Sequence, residues 1–148
     1  MTLFFEDFTP GRVFQLGSVD VTEHDIVEFA SRFDPQPFHI DPVAARDTPF
    51  GGIIASGWHT CSMFMALYAA TVLQDVDSQG SPGVDEIRWL KPVRPGDRLT
   101  GNATVTEATP STRNPTRGAV RMKCELENQH GDVAMRMTAI GLFGRRPD

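Results

Sequence analysis

From Val84 onward, apolar and polar residues alternate. Leu99, Gly101, Ala103 and Val105 stand against Thr100, Asn102, Thr104 and Thr106, and Val120, Met122, Cys124 and Leu126 against Arg121, Lys123, Glu125 and Glu127. Val133, Met135, Met137 and Ala139 continue the theme. A period of two sends successive side chains to opposite faces, so these runs predict antiparallel strands with one buried and one wet face. Pro95-Gly96-Asp97 and His130-Gly131-Asp132 read as turns joining consecutive strands, and Asn114-Pro115 falls in a longer connection. The first half has another rhythm. After a turn at Phe8-Thr9-Pro10-Gly11 and a possible strand from Arg12 to Val19, Thr22 can cap a helix in which Ile26, Phe29, Ala30 and Phe33 recur at helical spacing. A long helix then starts at Ser56 or Gly57 and runs through an apolar stretch from Trp58 to Leu73. It is apolar on nearly every side, and a helix of that kind is expected to be surrounded by protein. Gln74 to Pro82 is polar and turn-rich, and is expected to be the most mobile part. One apolar helix with four or five long antiparallel strands makes an α+β domain whose sheet must curl round the helix to cover it.

Composition narrows the function classes. A chain of 148 residues, 40% hydrophobic and 22% charged, is an ordinary globular composition for one domain, taken as residues 1–148. The net charge of −5 argues against a nucleic-acid partner, which would call for a basic stripe. The opening MTLFFEDF has no basic region and brings Glu6 and Asp7 at once, so it does not read as a signal peptide. His59, Thr60, Ser62 and Tyr68 interrupt the one long apolar run, which reads as a core helix rather than a membrane span. Cys61 and Cys124 lack metal-ligand or redox spacing and read as buried free thiols in a reducing cytoplasm. No phosphate-binding glycine loop and no metal-ligand spacing occurs, so neither a nucleotide cofactor nor a metal is expected.

The chemistry gathers at Asp34-Pro35-Gln36-Pro37-Phe38-His39-Ile40-Asp41. Each proline fixes its own φ and drives the residue before it towards extended geometry, so the incoming helix should end near Phe33. Beyond it the two prolines make a stiff connector that holds Asp34 and His39 at a set separation. If it is extended, His39 faces away from Phe38 and Ile40. A carboxylate and an imidazole are a usual pair for moving protons at neutral pH. The plainer alternatives are a histidine that ties down a loop and an aspartate that turns the chain. Asp41 before Pro42 reads as an N-cap for one short helical turn from Val43 to Arg46. Gly57, at the start of the long helix, offers an unpaired N–H to developing negative charge, or is only a helix-entry glycine. His59 is expected to cap the first turn rather than face a ligand. Arg88, Lys91 and Arg94 can receive phosphates or simply form a solvated face.

The string DPQPFH resembles the D-x-N-P-x-H signature of the MaoC-like, (R)-specific enoyl-CoA hydratases, and FGGIIASGWHT and RWLKPVRPGD are similar to segments of the same family. The resemblance runs from about Phe8 to the last strand. It implies a hotdog fold, a curled antiparallel sheet wrapped round one long helix. It further implies that Asp34 and His39 hold a water that adds to C3 of a 2-enoyl thioester while C2 receives a proton, with the Gly57 N–H receiving charge on the thioester oxygen. The implied substrate is an acyl-CoA thioester, coenzyme A being part of it and no other cofactor being needed. The implied assembly is a homodimer or a larger set of dimers. Ser56, Gln36, Ser62 and Met65 are the further substrate-binding candidates. Two of them depart from the family: Gln36 replaces an asparagine, and Met65 falls where characterised hydratases carry a serine, for which Ser62 can stand in. The rival functions are a hotdog thioesterase, with a carboxylate set against the thioester carbonyl, and a non-catalytic acyl-thioester-binding subunit.

Overall fold

The computed structural model describes residues 1–148. A single 3-10 turn at Phe5–Asp7 leads into strand β1, Val13–Asp20. Helix α1, Glu23–Phe33, begins where the sequence puts it: the Thr22 hydroxyl accepts from the Asp25 N–H at 3.1 Å. Such a cap is worth ~1 kcal/mol. Two short turns come next, α2 at Pro37–Ile40 and α3 at Pro42–Arg46, the second capped by Asp41, whose carboxylate accepts from the N–H groups of Val43 and Ala44. Helix α4, Gly57–Thr71, is capped by the Ser56 hydroxyl. The sheet is completed by β2 (Val84–Trp89), β3 (Arg98–Pro110), β4 (Arg117–Glu127) and β5 (Val133–Gly144).

The five strands lie in the order β1-β3-β4-β5-β2, and every neighbouring pair is antiparallel. The alternation seen in the sequence is the burial pattern observed. Leu99, Ala103, Val105, Val120, Met122, Cys124 and Leu126 are buried on one face and join Phe64 and Tyr68 of α4 in one core. Register shifts at Gln15/Gly17 in β1 and at Val105/Glu107 in β3 mark irregularities of the kind that bend and twist a sheet. The sheet curls round α4, as expected. No helix is long and apolar enough to cross a membrane, and both cysteines are free.

Four expectations need correction or refinement. The connector from Pro37 to Ile40 is one helical turn rather than extended, because Pro37 takes the first helical position, where a missing N–H costs nothing. The rings of Phe38 and His39 consequently meet edge to face at 4.5 Å instead of pointing apart. Within a single chain helix α4 is not enclosed: Trp58 is 56% and Met65 48% exposed, since one five-stranded sheet covers only the side that carries Phe64 and Tyr68. Pro95-Gly96-Asp97 joins consecutive strands that are not neighbours, carrying the chain from edge strand β2 to β3. His130-Gly131-Asp132, by contrast, closes a true β4–β5 hairpin. Residues 74 to 82 are held at several points, with Asp77, Gln79 and Gly80 hydrogen-bonded to Leu3, Leu142 and Gly144.

Candidate active site

Asp34 ends α1, its N–H donating to the Ala30 carbonyl at 2.8 Å, and Pro35 then prevents further helix. Gln36 is extended, as a residue before proline must be, and Pro37 opens α2. That single turn swings His39 back to Asp34. The His39 Nε2 stands 3.3 Å from the Asp34 Oδ2, and its Nδ1 lies 2.6 Å from the Ile54 carbonyl oxygen. A carbonyl can only accept, so Nδ1 carries a proton and donates it. The ring is thereby fixed in orientation, and Nε2 is the nitrogen left to change its protonation. A second bond, Ile54 N–H to the Phe38 carbonyl at 3.0 Å, ties the same two segments together.

The electrostatics favour an ionised Asp34. Burial raises its pKa, but the Gln36 amide, the Ser56 hydroxyl and the His39 charge outweigh burial and hold the carboxyl below its usual range. The Gln36 Nε2 donates to Asp34 Oδ1 at 2.7 Å. The longer amide therefore still serves the carboxylate. Ser56 is fully buried, accepting from the Trp58 N–H while it supports Asp34, so its hydroxyl lies beneath the surface of the site.

A pocket of about 350 Å³ brings His39 and Gly57 together, with Phe50, Thr60, Trp89 and Lys91 among its walls. Asp34 touches it through His39, its own side chain being 17% exposed. The Gly57 N–H has no partner within the chain, as the first residue of a helix should not. Ser62 and Met65 are not in this pocket. They line a separate apolar groove of about 540 Å³ along the open side of α4, and the Ser62 hydroxyl donates to the Trp58 carbonyl one turn back. His59 neither caps α4 nor reaches the pocket. Its ring stacks on Phe29 at 4.8 Å, its Nδ1 is buried without a partner, and burial lowers its pKa against the opposing pull of Asp25. Arg88 pairs with Glu86 and Lys91 with Asp132, whereas Arg94 forms no ion pair. The nearest approach to a metal-ligand set, His24, Asp25 and Glu28, is exposed on the first two turns of α1 and takes no part in the pocket.

Sequence reasoning missed Trp89. Its indole lies so close over Gly57 that a Cβ added there would stand 2.6 Å from its Cδ2. The glycine next to it was visible; the strand that lays a tryptophan over it was not.

The chain is similar to known proteins over most of its length. The family model of the MaoC-like domain matches residues 7–128. The crystal structure of a MaoC-like dehydratase from Rhodospirillum rubrum superposes with a TM-score of 0.88 at 41% identity, covering 99% of each chain. The 3-hydroxyacyl-thioester dehydratase Z of Mycobacterium tuberculosis is 29% identical over 130 residues, 79% of this chain and 85% of that protein. The (R)-hydratase PhaJ1 of Pseudomonas aeruginosa shares the fold, with a TM-score of 0.77 at 23% identity over 99% of this chain and 88% of that one. The curled sheet and its helix are the hotdog fold.

Proposed function

Because the chain belongs to the MaoC-like dehydratase family, we propose that it hydrates a 2-enoyl thioester to the (R)-3-hydroxyacyl thioester, or runs the reverse dehydration, with Asp34 and His39 as its acid–base pair. The observation that carries this reading is the geometry of His39, whose Nδ1 is committed to the Ile54 carbonyl while Nε2 faces an ionised carboxylate at 3.3 Å. In this reading both groups hold one water against the substrate. Asp34 takes a proton from it as its oxygen bonds to C3, and His39 Nε2–H gives a proton to C2, which the broken double bond has made carbanion-like. The Asp34–His39 contact then returns the proton from carboxyl to imidazole. Each such group contributes on the order of 10²–10⁴ in rate. The free N–H of Gly57 receives charge on the thioester oxygen, and a donor of that kind is worth ~2.7–4 kcal/mol.

In this reading Gln36 and Ser56 position Asp34, and Lys91 at the pocket rim, with unpaired Arg94, meets the phosphates of coenzyme A. No cofactor is required beyond the substrate's own carrier. A second copy of the chain covers the outer edge of β2, which pairs only with β5, together with exposed Val84 and Leu90. Free thiols at Cys61 and Cys124 suit a reducing cytoplasm.

Crotonyl-CoA tests the reaction, with the enoyl-thioester absorbance followed and free thiol measured in parallel. The reading requires absorbance to fall with no thiol released. Thiol release would move the protein to the thioesterases, and neither signal would leave a binding subunit. Sedimentation should show a dimer or a multiple of one.

A further inference from the structure

One buried hydroxyl in the pocket at Gly57 has no adequate partner. Trp89 apart, the polar side chains on the pocket walls are those of His39, Thr60 and Lys91. Lys91 is half exposed and bound to Asp132, and the His39 Nδ1 is committed to the Ile54 carbonyl. Thr60 is 2% exposed, and its hydroxyl donates to the Ser56 carbonyl at a distant 3.4 Å. Hydroxyl bonds usually close to about 2.7–2.8 Å. The Ser62 hydroxyl makes the same bond, to the carbonyl four residues back, at 2.8 Å. The Ser56 carbonyl is already engaged by the Thr60 N–H at 3.0 Å. No donor of the chain reaches the Thr60 Oγ, so its lone pairs are unused. A buried polar group so poorly matched calls for a partner that the chain itself does not contain.

Its position suits such a partner. Thr60 is one turn on from Gly57 along the same face of α4, about 4.5 Å further along the helix axis. Ser56 links it to the proton-transfer pair, supporting Asp34 through its hydroxyl and holding Thr60 through its carbonyl. We infer that Thr60 is a further catalytic residue, whose Oγ accepts the second O–H of the reacting water and, in the product, the O–H of the 3-hydroxyl. The inference rests on the hydratase reading, which sets the thioester oxygen at the Gly57 N–H and the 3-oxygen three carbons away from it. Asp34 takes one proton of the water, while the other stays on the oxygen and points to Thr60. With both hydrogens engaged, a lone pair of the water is left facing C3. As it bonds there, the π pair moves to C2 and takes the proton of His39 Nε2. The Thr60 proton remains directed at the Ser56 carbonyl throughout. An enoyl substrate carries no 3-oxygen, so the contact serves the water, the transition state and the product, and not substrate binding.

Thr60→Val keeps the shape of the side chain and removes the oxygen, whereas Thr60→Ser keeps the oxygen. In crotonyl-CoA hydration Thr60→Val should lower kcat about 10-fold, as for one hydrogen bond lost from a buried site. KM should stay within about twofold, the mark of a contact absent from the bound substrate. Thr60→Ser should restore most of the rate. Binding is read separately by calorimetry with butyryl-CoA and (R)-3-hydroxybutyryl-CoA, in an Asp34→Asn background that slows conversion of the second. Thr60→Val should weaken the hydroxy compound several-fold and leave butyryl-CoA unchanged. Parental kcat in Thr60→Val, with the same preference between the two ligands, overturns the inference and leaves the hydratase reading standing. Losses shared equally by both ligands, together with a lower melting temperature, mark Thr60 as packing only and also overturn it. A parent that hydrates no enoyl-CoA overturns the hydratase reading. A preference for the 3-hydroxy ligand that Thr60→Val removes would then still support Thr60 as the contact of the 3-oxygen, and no such preference overturns both.

Discussion

Helix α4 meets two unlike surroundings. At its N-terminus it adjoins a polar turn in which Asp34, Gln36, His39 and Ser56 all have hydrogen-bond partners and His39 is only 4% exposed. Along its outer side the same helix is only partly covered by its own chain, and Trp58 and Met65 stand about half exposed. The first region is shaped by directional bonds, which admit one arrangement. The second is shaped by where the sheet stops, and its side chains are free to move. One helix thus carries both kinds of construction.

The sharpest way to break this contrast is to remove the bonded pair. Asp34→Asn and His39→Gln should each reduce hydration by ~10²-fold or more. The double variant should lose little beyond the worse single, because groups that act as a unit are not additive. Near-normal turnover in Asp34→Asn with unchanged melting would refute the assignment. On the buried side of α4, Phe64→Ala should lower stability in chemical denaturation by ~3–5 kcal/mol. At the boundary, Gly57→Ala pushes the Trp89 ring aside and should cost turnover about 10-fold, a misplacement effect. In a Trp89→Ala background the same change should cost measurably less; equal losses in both backgrounds would show that the ring is not the cause.

Acid sharpens the comparison further. Asp34 titrates below the ordinary aspartate value of 3.8, so its folded form holds the proton less tightly than the unfolded chain does. Its contribution to stability is therefore fully present above that value and is lost as pH falls through the lower folded one. Denaturation of the parent and of Asp34→Asn should show a gap that closes only below pH 3.8. A gap that closes on rising pH would contradict the assigned direction. Smallest of all, Met65→Ser on the open side should alter stability by no more than ~0.5 kcal/mol, a contrast with Phe64 on the preceding position of the same helix. A large loss would show that the groove is filled in solution.

Legibility in the sequence divides along the same line. Thr22 and Asp41 announce their helices because a cap is a local bond between residues two or three apart. The strands of β3 and β4 announce their buried faces because alternation is a property of the strand itself. The pairing of Asp34 with His39 was readable as a fixed separation, but not its route: Pro37 permits an extended chain or a helical turn, and the Ile54 carbonyl that captures His39 lies fifteen residues on. The openness of α4 was not readable, since an apolar helix looks the same whether a sheet covers one side or all of it. Trp89 over Gly57 depends on the placement of an edge strand, which no local pattern records.

The bridge between Phe38 and Ile54 has a kinetic consequence. It closes a loop of sixteen residues, whereas β1 must find partners some ninety residues away, Val13 with Thr104. Short closures cost less chain entropy and form sooner than distant pairings. The turn that brings His39 to Asp34 can thus take shape around the start of α4 before the sheet has closed. Destabilising changes within residues 38 to 54 are expected to slow refolding, while changes in β1 mainly hasten unfolding. The contact of Asp34 with His39 would then belong to the chain's earliest structure, and the sheet would arrive to shelter a geometry already made.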